Sequence, residues 1–395
     1  MERSELVLLL SPEGLRLLDE IPPVTNSTDI VRVVAALRAA GHDPGLVAAA
    51  LTQARLRTKA EGKFGEFAAR MLFTEAGLEQ ATRLSVAALH AGRFAAAGVR
   101  WVADLGCGIG GDALAFAALD LDVLAADADE LTAAIASYNL APFANAEVLH
   151  ARAEDVDLSG VGGVYLDPAR RTAGHHDTHR LTRPEDYSPS LSFAFGLAER
   201  LPVGVKLGPG LDRDLIPADA EAQWVSVNGA LVEMTLWFGA LARDGIRRSA
   251  LLTGTGGTHE LAAAADSVDA EAGPLGEYVY EPDGAVIRAR LIGDLARSLD
   301  ARMLSEGIAY LTSDSARPTP FATAFRVLET LPADEKKLKA ALRERGIGTL
   351  EIKKRGVDVD PAALRKRLAL KGSASATIVM TRVAGRHATL LVERV

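Results

Sequence analysis

Residues Asp104-Leu105-Gly106-Cys107-Gly108-Ile109-Gly110-Gly111 lie between a mostly apolar run, 99–103, and a helix-like run, 112–119. This spacing predicts a strand, a glycine turn and a helix start, the local design of a nucleotide-like cofactor site. A chain that turns sharply and lets its backbone touch a ligand cannot carry Cβ atoms there, which accounts for Gly106, Gly108 and Gly110. The helix starting near Gly111 aims free N–H groups and a partial positive charge into the turn, which suits a phosphate or a carboxylate. Gly106, Gly108 and Gly111 also satisfy the dinucleotide pattern G-x-G-x-x-G, so the glycines alone leave the ligand open. Asp104, two residues before the first glycine, narrows the choice, because an acid there repels a pyrophosphate and welcomes an ammonium group.

These residues resemble motif I of the class I S-adenosylmethionine-dependent methyltransferases, whose acid-x-Gly-x-Gly-x-Gly falls on Asp104, Gly106, Gly108 and Gly110, with Cys107 inside the turn. S-adenosylmethionine carries both an ammonium and a carboxylate. The resemblance implies a Rossmann-like α/β fold with that cofactor. A strand over 121–126 ends at Asp127, where an acid can accept both ribose hydroxyls, with Ala128 beside it. The other role open to an acid here, capping helix 130–139, suits Asp129 better. After a strand at 146–150, the acid that such enzymes direct at the adenine amine would fall on Arg152, so adenine contact passes to the Ala153 backbone or to Glu154 or Asp155.

A fourth strand, 163–166, runs into Asp167-Pro168-Ala169-Arg170-Arg171. An acceptor followed by proline at the C-terminal end of a strand in a doubly wound sheet points into the ligand crevice. The run resembles motif IV of methyltransferases acting on planar amines, which implies that Asp167 and the Pro168 carbonyl accept hydrogen bonds from the attacking NH2 and align its lone pair. Ala169 replaces the usual second proline and Arg170 the usual aromatic, although a guanidinium plane can also stack on a base. A fifth strand, 203–207, leads to Gly208-Pro209-Gly210, and 224–227, Asn228-Gly229 and 230–238 read as a hairpin with a type I′ turn, as at the end of the class I sheet.

Lys206 and Glu233, with Asp167 and an upstream lysine such as Lys63, offer a competing set, the Lys-Asp-Lys-Glu group of ribose 2′-O-methyltransferases, where a lysine lowers the pKa of a hydroxyl. The only cysteine, Cys107, lies in the cofactor turn and not at the substrate, which argues against attack by cysteine on a pyrimidine carbon. One cysteine also forms no intramolecular disulfide, and 7–10 is too short an apolar run for a signal peptide core or membrane span; the expectation is a cytoplasmic protein without membrane association. In the loop after motif IV, His175, His176, Asp177 and His179 could space a metal, but a lid over the substrate is the preferred reading and no metal is expected.

Residues 1–98 read as an N-terminal helical domain, with apolar positions at helical spacing over 29–40, 44–59 and 66–97. Its basic residues, from Arg55 to Arg93, default to solvated faces, while Glu79 and Gln80 are candidate contacts near the crevice. The methyltransferase domain is expected over 99–253. From 254 to 320 the expectation is a connecting loop, exposed over 254–273, and a helix over 287–302. Charge then shifts: residues 331–395 hold seven Lys and eight Arg against seven acids, net +8, whereas the rest carries −16 to give the whole-chain −8. This asymmetry is of the sort nucleic-acid binding produces.

The tail, 321–395, reads as strand, helix, strand, helix and two strands, and resembles the THUMP-like domain that follows the catalytic domain in a group of class I methyltransferases. True THUMP domains occur in RNA-modifying enzymes, so the resemblance implies an RNA substrate. Residues 107–112 with Phe116-Ala117 are also similar to the cap trimethylguanosine synthases, which methylate an exocyclic guanine amine but carry a tryptophan in motif IV. The combined expectation is an RNA base methyltransferase with an in-line mechanism. A ribose 2′-O-methyltransferase, a small-molecule or protein methyltransferase, and a non-catalytic module binding cofactor and RNA stay open, as does oligomeric state.

Overall fold

The computed structural model describes residues 1–21, 27–170 and 184–395. Two compact units form, one of residues 1–206 with 237–242, the other of 207–236 with 243–395.

The first unit begins with helices α1 (Arg3–Leu9), α2 (Pro12–Glu20), α3 (Ser27–Ala39) and α4 (Pro44–Phe64). Ser11 and Asp43 cap α2 and α4 by accepting the Gly14 and Leu46 N–H groups at 3.0 and 2.9 Å, each followed by a proline already set to the helical φ. Gly65, at φ 55°, stops α4. The apolar spacing over 66–97 predicts one helix, but the chain makes a 3₁₀ turn (Gly65–Arg70), an extended stretch, then α5 (Glu75–Gln80) and α6 (Leu84–Ala96). Tertiary hydrogen bonds outweigh helical propensity here. The buried Gln53 amide accepts from the Phe73 N–H at 3.0 Å and donates to the Phe73 carbonyl at 2.8 Å, and the Asn139 amide does the same for Leu72 at 2.7 and 3.1 Å. Two side chains thus supply what a neighbouring strand would.

The sheet of this unit contains β1 (Trp101–Leu105), β2 (Asp122–Asp127), β3 (Ala146–His150), β4 (Gly163–Leu166) and β7 (Val203–Leu207), all parallel in the order β3-β2-β1-β4-β7. The crossovers carry α7 (Gly111–Ala118), α8 (Glu130–Leu140) and α9 (Leu191–Ala198); short β5 (Ala169–Arg170) and β6 (Tyr187–Ser188) pair antiparallel. The strand order reverses at β1 and β4, the switch point where doubly wound sheets bind ligands. Phe94, Phe116, Tyr165 and Trp237 pack mostly edge to face behind it, with ring centroids 5.1 to 6.3 Å apart. Gly204 leaves room for them, since a Cβ there would come within 2.7 Å of the Trp237 ring.

The second unit holds β8 (Glu221–Val227), most of β9 (Ala230–Phe238), β10 (Arg248–Gly254) and β11 (Gly257–Ala263). Asn228 and Gly229, at φ 50° and 79°, form the expected type I′ turn between β8 and β9. The expectation of an exposed loop over 254–273 fails in part: β11 pairs antiparallel with β10, although its residues are mostly exposed. Glycine-rich, polar composition hid an edge strand that owes its structure to backbone pairing rather than to an apolar face.

The segment expected to connect the domains also supplies β12 (Tyr278–Pro282), α10 (Gly284–Arg288), α11 (Ile292–Leu299), β13 (Arg302–Ser305) and β14 (Ile308–Ser313). The single helix expected over 287–302 is broken at Arg290, whose φ is 60°. With β15 (Ala322–Leu331), α12 (Glu335–Glu344), β16 (Ile347–Lys354), α13 (Pro361–Leu368), β17 (Ala374–Val383) and β18 (Arg386–Arg394) these strands build a seven-stranded sheet, β13-β14-β12-β15-β18-β17-β16. Leu338, Leu342, Leu364 and Leu368 seat α12 and α13 in one apolar cluster with Ile347, Ile352 and Ile378. Among the described residues no helix is long and apolar enough to cross a membrane.

Candidate active site

The glycine turn after β1 is a strained loop that only its sequence permits. Gly106, Gly108 and Gly110 have φ of 83°, 56° and 85°. The Gly106 and Cys107 N–H groups both donate to the Ala126 carbonyl, at 2.8 and 3.0 Å, and pin the turn to the end of β2. Asp127 accepts from Gly108 N–H at 3.0 Å and from Asp129 N–H at 2.9 Å, so it orders the turn it borders; Asp129 caps α8, accepting from Thr132 N–H at 2.8 Å. Burial raises the Asp127 carboxyl despite these donors. Ala128 is exposed, and its carbonyl lies 3.2 Å from the His150 ring nitrogen. Ala153 and Glu154 form a 3₁₀ turn past β3, with Glu154 3.5 Å from Arg152. Burial also pushes the Cys107 thiol well up, with the Asp104 and Asp127 charges adding to the effect, so it is no nucleophile.

Asp104, on β1 in register with Ala125 and Tyr165, is 1% exposed, and its Oδ2 has no hydrogen-bond partner. Burial, then the charges of Asp112 and Asp167, raise its carboxyl well above the ordinary range, with Lys206 opposing. Three carboxylates thus gather near one lysine. An orphaned buried carboxylate oxygen near a turn in which the Cβ position of Gly108 is vacant fits a ligand bearing an ammonium group.

At the end of β4, the Asp167 carboxylate is about one-third exposed and pairs at 2.5 Å with the Nζ of Lys206 on β7. Its backbone carbonyl faces Gly106. Lys206, nearly buried, also donates to Thr82 Oγ1 at 2.7 Å, Thr82 donates to Asp112 Oδ2 at 2.7 Å, and the other Asp112 oxygen meets His90 Nδ1 at 2.9 Å. Burial alone would raise the Asp112 carboxyl, yet the His90 hydrogen bond and charge, Lys206 and Thr82 together hold it below its usual value. The sequence reasoning missed Thr82 and His90 as site residues; a histidine on the apolar side of α6 and an acid in the first turn of α7 were the available signals.

Lys63, offered for the ribose set, spends three hydrogen bonds on the Leu78, Glu79 and Ala81 carbonyls at 2.8, 2.7 and 2.8 Å, closing the end of α5. Glu233 lies on β9 in the second unit, where Thr235 donates to it at 3.4 Å. Helix α5 does border the cofactor turn, since a Cβ on Gly77 would meet Ile109 at 2.6 Å, but Glu79 and Gln80 are exposed. The Arg170 side chain, together with Arg171, His175, His176, Asp177 and His179, lies outside the described residues. Among the described residues no group of three His, Cys, Asp or Glu side chains could hold a metal ion.

A parallel sheet with a glycine turn at its switch point, an orphaned acid before that turn and an acid-proline pair on the adjacent strand defines a Rossmann-like cofactor enzyme. Comparison with known proteins agrees. The chain is 35% identical over 342 residues, 83% of its length, to an uncharacterized S-adenosylmethionine-dependent methyltransferase found in two strains of Mycobacterium tuberculosis, covering 90% of that protein. Residues 322–394 match the family described as THUMP domain-like, and residues 2–60 match a domain of unknown function. A crystal structure from Porphyromonas gingivalis W83, assigned as a methyltransferase, superposes with a TM-score of 0.71 at 19% identity, covering 94% of this chain and 99% of that one, which shows the shared fold. The chain belongs to the S-adenosylmethionine-dependent methyltransferases.

Proposed function

We propose that this enzyme methylates an exocyclic amine of an RNA base by direct in-line transfer. The observation that carries the proposal is the Asp167 carboxylate, partly open to solvent, fixed by a buried lysine at 2.5 Å and adjoining the first glycine of the cofactor turn. S-adenosylmethionine, when bound, supplies the electrophilic methyl group. Asp104 would partner its ammonium, the 106–110 turn with Cys107 would admit its amino-acid portion, Asp127 and Ala128 would hold its ribose, and Ala153 and Glu154 its adenine. An aromatic amine is a weak nucleophile because its lone pair is delocalised into the ring. Asp167 and the Pro168 carbonyl, as two acceptors for its N–H bonds, would orient that lone pair, with Lys206 paired to Asp167 and Arg170 offering a plane for the base.

Support for RNA comes from the tail. Lys336, Lys337, Arg343, Arg365 and Lys366 are exposed on α12 and α13, whose apolar sides are turned into the cluster beneath. The helices adjoin, with Lys339 donating to the Arg367 carbonyl at 2.7 Å, and their exposed cations outnumber the acids Glu335 and Glu344 of α12, an excess of positive charge suited to phosphates.

The test is transfer of labelled methyl from S-adenosylmethionine to total RNA from a strain lacking the protein, with Asp167→Ala beside wild type. The expected result is label in RNA, on the base after nuclease digestion, falling on the order of 100-fold or more in the variant while cofactor affinity stays within about 3-fold. Intact cofactor binding without RNA label would overturn the RNA assignment.

A further inference from the structure

We infer that Thr82, Asp112 and His90 form a buried positioning relay that holds the Lys206 ammonium in place and, through it, the Asp167 carboxylate. The inference rests on Asp167 as the amine acceptor. Its basis is the direction of each proton along the chain of contacts.

Thr82 has one hydroxyl proton, and this is donated to Asp112 at 2.7 Å, so the oxygen presents only lone pairs to Lys206. Lys206 therefore donates both to Thr82 and to Asp167, two contacts on two different elements. A lysine is a point charge on a flexible stem, and one contact cannot fix it. Two acceptors on different elements define where Nζ sits.

The far end of the relay is rigid. Asp112 lies in the first turn of α7 and is buried, with its second oxygen on His90 Nδ1 at 2.9 Å. The Tyr165 hydroxyl stands 2.9 Å from the same nitrogen, and the His90 ring is packed 5.2 Å from the Tyr165 ring and 5.8 Å from that of Trp237. Thr82 thus transmits the position of a packed core to a partly exposed carboxylate that must be held to a fraction of an ångström. Thr82, Asp112 and His90 act as positioning residues, and Asp167 is the group that meets substrate.

The experiment compares Thr82→Val, which removes the hydroxyl at nearly constant volume, with Thr82→Ser, which keeps it. The first readout needs no substrate: the carboxyl-carbon NMR signal of Asp167 in protein labelled at aspartate, identified by its loss in Asp167→Asn. The expected result is that Thr82→Val displaces this signal and Thr82→Ser restores it, with near-wild-type thermal unfolding in Thr82→Ser. The second is methyl transfer to the RNA pool described above, where kcat falls about 10- to 100-fold in Thr82→Val with KM for S-adenosylmethionine unchanged, and recovers in Thr82→Ser. An Asp167 signal unmoved in folded Thr82→Val overturns the relay whatever the RNA assay shows. A displaced signal with no label in wild-type reactions upholds the relay and overturns the RNA assignment alone.

Discussion

The backbone carbonyl of Asp167 lies over the Cα of Gly106, so close that a methyl group in place of the glycine hydrogen would come to 3.3 Å from that oxygen. The cofactor turn after β1 and the segment ending β4 thus meet through bare backbone.

Gly106→Ala tests this contact. At φ 83° an alanine costs about 1–2 kcal/mol in backbone strain before the crowding against Asp167 is added. The expected outcome is S-adenosylmethionine affinity lowered more than about 10-fold by calorimetry, with the secondary structure retained in circular dichroism.

Asp104 gives the ligand-free protein a pH dependence. Its folded-state pKa lies above that of the unfolded chain, so the folded state binds the extra proton. Its contribution is fully present below the unfolded carboxylate range and is lost as pH rises through the raised value. Asp104→Asn should flatten that part of the stability curve and weaken cofactor binding; an unchanged urea midpoint profile from pH 4 upward would count against the raised carboxyl.

Lys63 behaves in the opposite sense. Burial first, then Arg83 and Lys206, lower it to about 8 from 10.5. The unfolded chain binds more protons than the folded one between these values, so stability should climb as pH rises from about 8 to 10.5. Lys63→Gln should remove that climb, as read by thermal unfolding across the alkaline range.

Gln53→Ala and Asn139→Ala each leave two or more buried backbone groups without partners. A loss of about 2–4 kcal/mol for each is expected in urea unfolding, larger than an exposed substitution produces. Values under about 1 kcal/mol would show that the 71–74 stretch has other means of satisfying its backbone.

The parts of the fold written in local pattern were legible: the glycine turn, the Asp129 cap, the acid-proline pair after β4, the Asn228-Gly229 hairpin and the alternation of strands and helices in the tail. What escaped depends on distant partners. The helical spacing over 66–97 is overridden by amides from residues 20 and 67 positions away. The Lys206–Thr82 contact spans 124 positions, and nothing near Thr82 distinguishes it from any other polar residue. Strand β11 was hidden for a different reason, since pairing leaves no mark in the hydrophobicity of a mostly exposed edge.

The amide clasp on Leu72 and Phe73 has a consequence for how the protein can be cut. Asn139 also donates to the Ile109 carbonyl at 2.9 Å, so one side chain ties the preceding segment and the cofactor turn together. Residues 1–98, which read as an N-terminal helical domain, fall in the same compact unit as the cofactor turn. A core trimmed to begin at β1 would keep the Asn139–Ile109 contact but free the rest of the Asn139 amide, which in the whole protein is spent on Leu72.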